Sequence, residues 1–229
     1  MSVDTVTTSN GLGCVHLFWT AGPETSGKAV LAAIEAASDD DHQVVCAAVL
    51  GHKADLAVLA LGPDLWRLRR LQTALRAAGL ELVDSYVSMT EVSEYAAGVP
   101  EEMLQARLHP QLPPEGLRAF CFYPMSKRRE GHANWFTLPF DDRKELMYDH
   151  GASGRKFKGR VVQLVTGSTG VDDYEWGVTL FARHLDDLKD VVYTMRFDEA
   201  SALYAEFGPF TTGLVADPVD LVAELGLPD

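Results

Sequence analysis

The chain has 229 residues, of which 47% are hydrophobic and 23% are charged, so it can bury a sizeable core. This composition excludes wholesale disorder and low-complexity architecture. The formal net charge of -13 argues against binding to nucleic-acid backbones and against docking on anionic lipid.

The first half of the chain predicts two β-α-β units in succession. Leu68, Leu71 and Leu75 recur at the spacing of one helix face, and Gly79 follows them as a C-terminal cap. The resulting order, β-α-β-β-α-β, is that of ferredoxin-like folds. The predicted strands are 15–20, 43–50, 55–61 and 82–92, and the predicted helices are 25–38 and 64–78.

The second half repeats this pattern after a Pro- and Gly-rich linker. We therefore predict an α+β chain with an N-terminal half over 13–95, a linker over 96–116 and a C-terminal half over 117–215. The halves are expected to place their two sheets back to back. The predicted strands of the second half are 117–123, 160–166, 175–181 and 204–212, and its helices are 141–150 and 185–195.

One segment imitates a phosphate-binding loop. Residues Gly22 to Ala29 nearly fit the pattern G-x-x-x-x-G-K-[ST], but Ala29 has no hydroxyl for magnesium. The strands that follow predict a hairpin instead of parallel crossovers. An ordinary helix N-terminus is the favoured interpretation of this segment.

Charge is distributed unevenly along the chain. Residues 127–160 contain nine Lys and Arg side chains against five acidic ones, although the chain as a whole is acidic. Such a basic segment is either a solvated face or a local site for a small polyanion, for example a polycarboxylate or a phosphate.

The three cysteines, Cys14, Cys46 and Cys121, are far apart and form neither a metal spacing nor a disulfide framework. Buried, reduced thiols in a cytoplasmic protein are expected. The N-terminal residues show no secretory signal, and no apolar run reaches the ~18 residues of a membrane helix.

Two side chains are candidates for chemistry. His150 stands alone before Gly151, which fits a helix-end residue; a single histidine is also what a haem iron needs, because the porphyrin supplies four nitrogens. No H-x-x-H pattern supports zinc. Tyr123 ends a strand before the basic segment, where it is either a packed strand residue or a functional phenol.

Several long motifs in fixed order resemble the coproheme decarboxylases of the chlorite dismutase-like haem superfamily. They are CFYPMSKRR at 121–129, LMYDHGASGR at 146–155, GSTGVDDYEWGVTL at 167–180 and YTMRFDEASALYAEFGPF at 193–210. The resemblance is dense over about residues 80–213 and only a matter of pattern before them.

This resemblance implies a dimeric α+β barrel within one subunit, assembled as a homopentamer. It implies an oxidoreductase of haem biosynthesis that uses hydrogen peroxide to decarboxylate two propionates of iron coproporphyrin III (coproheme), giving haem b. A transient coproporphyrin ferrochelatase partner is also implied.

The resemblance also assigns roles to residues. His150 is similar to the axial iron ligand, Tyr123 to the redox-active tyrosine, and Lys127 to a residue that holds the reactive propionate. His109 is the candidate base that deprotonates peroxide, and His132 is a weaker one. The candidate coproheme contacts are Tyr86, Arg107, Tyr123, Pro124, Met125, Ser126, Lys127, Gln163 and Ser201.

Two alternatives stay open from the sequence. A chlorite-splitting relative with haem b is expected to carry a distal arginine where this chain has Gln163. A non-enzymatic haem-binding or haem-delivery protein would keep His150 but would have no need for Tyr123 beside Lys127.

Overall fold

The computed structural model describes residues 4–228, and its first half follows the predicted order of elements. Asp64 caps the second helix by accepting a hydrogen bond from the Trp66 backbone, and Gly79 takes the positive φ of +94° that ends this helix. The elements are β1 (Gly13–Ala21), α1 (Gly27–Ala37), β2 (Gln43–Val49), β3 (Leu56–Gly62), α2 (Leu65–Ala77) and β4 (Leu80–Thr90).

The linker is not devoid of regular structure, because it contains α3 (Glu101–Leu108). This helix begins after Pro100, with Glu101 and Glu102 in its first turn, and has no buried residue. The absence of an apolar stripe explains why hydrophobic periodicity does not reveal it.

The second half contains more elements than the sequence pattern predicts. The helix expected over 141–150 runs to Arg155, and the strand expected over 204–212 is interrupted at Gly208 and Pro209. A 3-10 turn at Trp135–Thr137 follows a short hairpin. The elements are β5 (Ala119–Lys127), β6 (Arg129–Glu130), β7 (Ala133–Asn134), α4 (Phe140–Arg155), β8 (Val161–Gly167), β9 (Trp176–Ala182), α5 (Leu185–Met195), α6 (Glu199–Ala202), β10 (Ala205–Phe207), β11 (Thr211–Ala216) and α7 (Pro218–Glu224).

Within residues 4–228, nine of the eleven strands belong to one closed sheet and not to two separate sheets placed back to back, while β6 and β7 form a small hairpin apart from it. Each half has the ferredoxin-like strand order, β4-β1-β3-β2 in the first and β8-β9-β5-β11 in the second. The halves are joined at two seams, where β11 pairs with β2 over four residue pairs and β4 pairs with β8 over two. The expected α+β barrel within one subunit is thereby confirmed.

The core has three main layers. The barrel interior is filled by side chains of both halves, including Phe18, Leu59, Phe120 and Phe181. On the outer face of the first half, α1 and α2 cover the sheet tightly. On the outer face of the second half, α5 and Phe157 cover only part of the sheet.

The segment that imitates a phosphate loop is an ordinary helix start. Ser26 caps α1, and the backbone N–H of Gly27 donates to the Pro228 carbonyl at 2.6 Å, so the C-terminal residues cover this helix end. None of the helices within 4–228 has the length and apolar character needed to cross a bilayer.

Candidate functional site

A cavity of about 1180 Å³ lies on the outer face of the second half. Its floor is formed by β5, β8 and β9, one side by α4 and α5, and its cover by residues 91–95 and 103–112. Gly151 and Gly154 lie on its α4 side, where the missing side chains leave room beside His150.

The cavity exists because α4 does not pack on the sheet. Ser153 is its only buried residue, and Asp141, Asp142 and Arg143 follow one another in its first turn. A helix without an apolar stripe gains little by docking on a sheet. The space between α4 and the strands therefore stays open for a ligand.

His150 is held with one ring nitrogen facing a carboxylate. Its Nδ1 lies 3.2 Å from Asp198 Oδ2, and Ser153 Oγ donates to Asp198 Oδ1 at 2.8 Å. Because a carboxylate only accepts, Nδ1 carries the proton, and within 4–228 Nε2 has no hydrogen-bond partner. A carboxylate behind the imidazole is the usual support of a metal-ligating histidine.

The surroundings of His150 favour its neutral form. Burial lowers its pKa below the usual value, the charge of Lys127 lowers it further, and Asp198 opposes both. A neutral imidazole is the form that binds a metal.

No group of three His, Cys, Asp or Glu side chains able to hold a bare metal ion occurs among the described residues. The arrangement suits an iron macrocycle, which needs one protein ligand.

Tyr123 lies in the cavity floor between two phenylalanine rings. Phe210 stacks on it at 4.4 Å between ring centroids, and Phe207 meets it edge-on at 5.6 Å. Burial raises the pKa of its phenol, and Cys121 raises it further. The hydroxyl has no hydrogen-bond partner among residues 4–228, so its proton is free to interact with a ligand.

Lys127 is a buried cation on the same strand. Its Nζ donates to the Ala200 carbonyl at 2.5 Å and lies 4.4 Å from the centroid of the Trp135 ring. Burial lowers its pKa to about 8, while the nearby Glu175 acts in the opposite direction. The ammonium therefore stays mostly charged at neutral pH, close to His150.

The alternation of β5 separates the predicted contacts into two groups. Tyr123, Met125 and Lys127 line the cavity, together with Arg107, Gln163 and Ser201 from other elements. Ser201 Oγ lies 3.5 Å from His150 Nδ1. Pro124 faces the barrel interior, and Ser126 Oγ accepts a hydrogen bond from the Glu175 backbone at 3.2 Å. The structure does not bring Pro124 and Ser126 side chains to the cavity.

Two further predicted residues lie elsewhere. The Tyr86 side chain is buried inside the barrel, where its hydroxyl is bonded to Ser168 Oγ and its ring lies 5.4 Å from Phe122. The expected contact of Tyr86 with a propionate is not supported, because Tyr86 faces the barrel interior and the cavity lies on the outer face of the sheet. His109 is exposed at the C-terminus of α3, and His132 is exposed in the β6–β7 turn; neither lines the cavity.

Several lining residues were missed by the sequence analysis. Arg143, Arg155 and Arg196 line the cavity with Arg107 and Lys127, which gives five cationic side chains against the acidic Glu91 and Glu94. The basic segment 127–160 pointed to Arg143 and Arg155 only collectively. The site is thus locally positive in an acidic protein, which suits a ligand with several carboxylates.

Comparison with known proteins shows the family of the chain. The chlorite dismutase family model matches residues 24–216. Coproheme decarboxylase of Staphylococcus carnosus is 45% identical over 73% of this chain and 70% of its own length. A protein of Natronomonas pharaonis named as heme-binding is 46% identical over 76% of this chain, but the match spans only 31% of that longer protein.

A solved structure is similar over 99% of the chain. It is a heme-binding protein from Thermus thermophilus, 35% identical, with a TM-score of 0.87 over 99% of this chain and 100% of that one. Both the sequence relatives and this structure are therefore haem proteins by name.

Proposed function

Because the chain belongs to the chlorite dismutase family, we propose that it is a coproheme decarboxylase, an oxidoreductase that makes haem b with hydrogen peroxide. The observation that carries this proposal is the pairing, in one basic cavity, of a carboxylate-supported His150 with the buried phenol of Tyr123. A haem carrier needs the first feature but has no use for the second.

The charges of the cavity support coproheme as substrate. Coproheme has four propionates, and the cavity offers five cationic side chains. Arg107, Arg143, Arg155 and Arg196 can bind carboxylates by paired hydrogen bonds, and Lys127 can bind one as a point charge. His150 Nε2 would hold the iron.

In the proposed mechanism, bound coproheme supplies the iron on which hydrogen peroxide is reduced. Tyr123 gives up one electron and its hydroxyl proton and then removes a hydrogen atom from the β-carbon of a propionate. The propionate loses a further electron and carbon dioxide, which leaves a vinyl group. Each complete decarboxylation thus converts one propionic acid side chain and one hydrogen peroxide into a vinyl group, carbon dioxide and two waters.

Residues around Tyr123 support this radical role. Its hydroxyl proton stays on at physiological pH because burial raises the pKa, so electron and proton leave together. Phe207 and Phe210 hold the ring and keep water from its faces.

Gln163 offers an uncharged amide, which stabilises an anionic oxychlorine intermediate poorly compared with a guanidinium. Chlorite is therefore expected to be a poor substrate.

We also propose, from the family resemblance, a cytoplasmic homopentamer with a transient coproporphyrin ferrochelatase partner. The three buried, unpaired cysteines support a reducing compartment. Val83 and Val87, which are exposed on β4, offer apolar surface for subunit contacts. The mass in solution, measured by light scattering, tests the pentamer.

The test of function is the conversion of coproheme. Purified protein is given coproheme and hydrogen peroxide, and the porphyrin products are followed by mass spectrometry. We expect two successive losses of one carbon dioxide and two hydrogens, ending at haem b, and none with Tyr123→Phe despite unchanged coproheme binding. Unchanged coproheme in the native protein, or oxygen release from chlorite instead, would overturn the proposal.

A further inference from the structure

Besides Tyr123, the cavity is bordered by one ring of an oxidisable aromatic pair, Trp135 and Tyr204. Trp135 lines the cavity, is only 3% exposed, and packs edge-on against Tyr204 with 5.3 Å between ring centroids. Among the aromatic rings of the described residues, Tyr123 packs instead on Phe207 and Phe210, whose rings are much harder to oxidise than an indole or a phenol. Tyr204 could donate an electron to an oxidised Trp135. Phe207 and Phe210 cannot readily donate one to an oxidised Tyr123, so the radical would remain on Tyr123.

The cation of Lys127 lies over the Trp135 ring of this pair, whereas no cation lies over the Tyr123 ring within residues 4–228. Lys127 Nζ is 4.4 Å from the Trp135 ring centroid and is anchored by the Ala200 carbonyl at 2.5 Å. A positive charge over a neutral ring is attracted by the π electrons, but it repels a ring that has lost an electron. Lys127 is 7% exposed, so little water screens this effect.

We propose that Lys127 protects Trp135 from oxidation and so keeps the oxidising equivalent of the cavity for Tyr123. This inference rests on the proposed function only in that peroxide generates an oxidant there. Without the charge, Trp135 would lose one electron to that oxidant and its Nε1 proton to water. The same oxidant would take a second electron from the indolyl radical, and addition of water with loss of one proton would leave an oxygenated, hydroxylated tryptophan while the peroxide is reduced to water.

Trp176 provides an internal comparison. It also lines the cavity, but its Nε1 donates to the Glu91 carboxylate at 3.2 Å, and no cation lies over its ring among the described residues. A carboxylate at the indole N–H favours loss of an electron, so Trp176 lacks the protection that Trp135 has. The ratio of oxygenation at Trp135 to that at Trp176 therefore reports the effect of Lys127.

The experiment loads the protein with haem b, adds hydrogen peroxide and maps oxygenated tryptophan by peptide mass spectrometry. Lys127→Met keeps the side-chain length without charge, and Lys127→Arg keeps the charge over the ring. We expect the Trp135-to-Trp176 ratio to rise about 10-fold or more in Lys127→Met and to stay near the native value in Lys127→Arg. Trp135→Phe in the Lys127→Met background identifies the modified residue.

The same ratio in the native protein, Lys127→Met and Lys127→Arg would overturn the inference. Haem uptake, followed by absorbance, shows that each variant folds and is loaded. Since haem b replaces coproheme, this result is independent of decarboxylation; failure of the proposed function would appear instead as unconverted coproheme in the native protein.

Discussion

The two halves of the barrel have the same strand order but cover their outer faces in opposite ways. In the first half, α1 buries Val30, Ala33 and Ile34 against the sheet. In the second half, the corresponding helix α4 buries only Ser153. The comparison teaches that the duplicated backbone does not decide where the site lies. The site lies where a helix lacks an apolar stripe, because such a helix does not pack on the sheet and leaves it uncovered.

The largest expected effect is a difference between two variants: a core substitution in the first half should lower stability, and a cavity substitution in the second half should lower coproheme affinity. Leu75→Ala removes a fully buried side chain beneath α2 and should cost about 2–5 kcal/mol of the free energy of unfolding. Met195→Ala should cost less, because its side chain already borders a cavity, but it should weaken coproheme binding. Urea unfolding and coproheme titration of both variants measure this. Equal losses of coproheme affinity would contradict the division.

Lys127 makes the second half more stable as the pH becomes alkaline, whereas the buried Cys14 and Cys46 of the first half, whose pKa values burial raises to about 12, act in the opposite direction. The pKa of Lys127 is lowered to about 8 in the folded protein from 10.5 in the unfolded one. Between these values the unfolded chain binds more protons, so the folded state gains stability as pH rises, by up to about 3 kcal/mol. Lys127→Met should lack this gain, and the exposed Lys144→Met should keep it. The free energy of unfolding, measured with urea at several alkaline pH values, tests this difference. The same pH dependence in both variants would contradict it.

Coproheme should stabilise α4 more than α1. At free coproheme about 100 times its dissociation constant, binding adds about 2.7 kcal/mol to the free energy of unfolding. We expect hydrogen exchange to slow in 140–155 and to stay unchanged in 27–37. Slowing that is equal in both helices would mean that coproheme stabilises the barrel as a whole and does not fill the space under α4.

The smallest expected effect concerns His109. Loss of a general base typically costs about 10²–10⁴-fold in rate, but His109 is exposed on α3 outside the cavity. His109→Ala should therefore leave the rate of the peroxide reaction unchanged from mildly acidic to mildly alkaline pH. A loss of about 100-fold in stopped-flow experiments would show that α3 brings His109 to the peroxide when coproheme is bound.

The sequence predicted the order of elements because strands and helices of the barrel have clear hydrophobic periods. It missed α3, which has no buried face. It also could not tell which face of β4 or β5 meets the cavity, because a period of two does not distinguish inside from outside. Tyr86, Pro124 and Ser126 were therefore assigned to a face that they do not occupy.

The support of His150 was equally invisible in the sequence. Asp198 lies 48 residues further along the chain, and only the packing of α6 against α4 brings its carboxylate to Nδ1. Spacing rules detect ligand pairs within one helix or loop, whereas this pair is built by tertiary contacts.

The central claim is that His150 Nε2 binds the iron of coproheme beneath α4. Resonance Raman spectra of ferrous coproheme complexes measure it most directly through the iron–histidine stretching band. We expect this band in the native protein and in His52→Ala, an exposed histidine of the first half, and its loss in His150→Ala. An unchanged band in His150→Ala would place the iron ligand elsewhere and contradict the account.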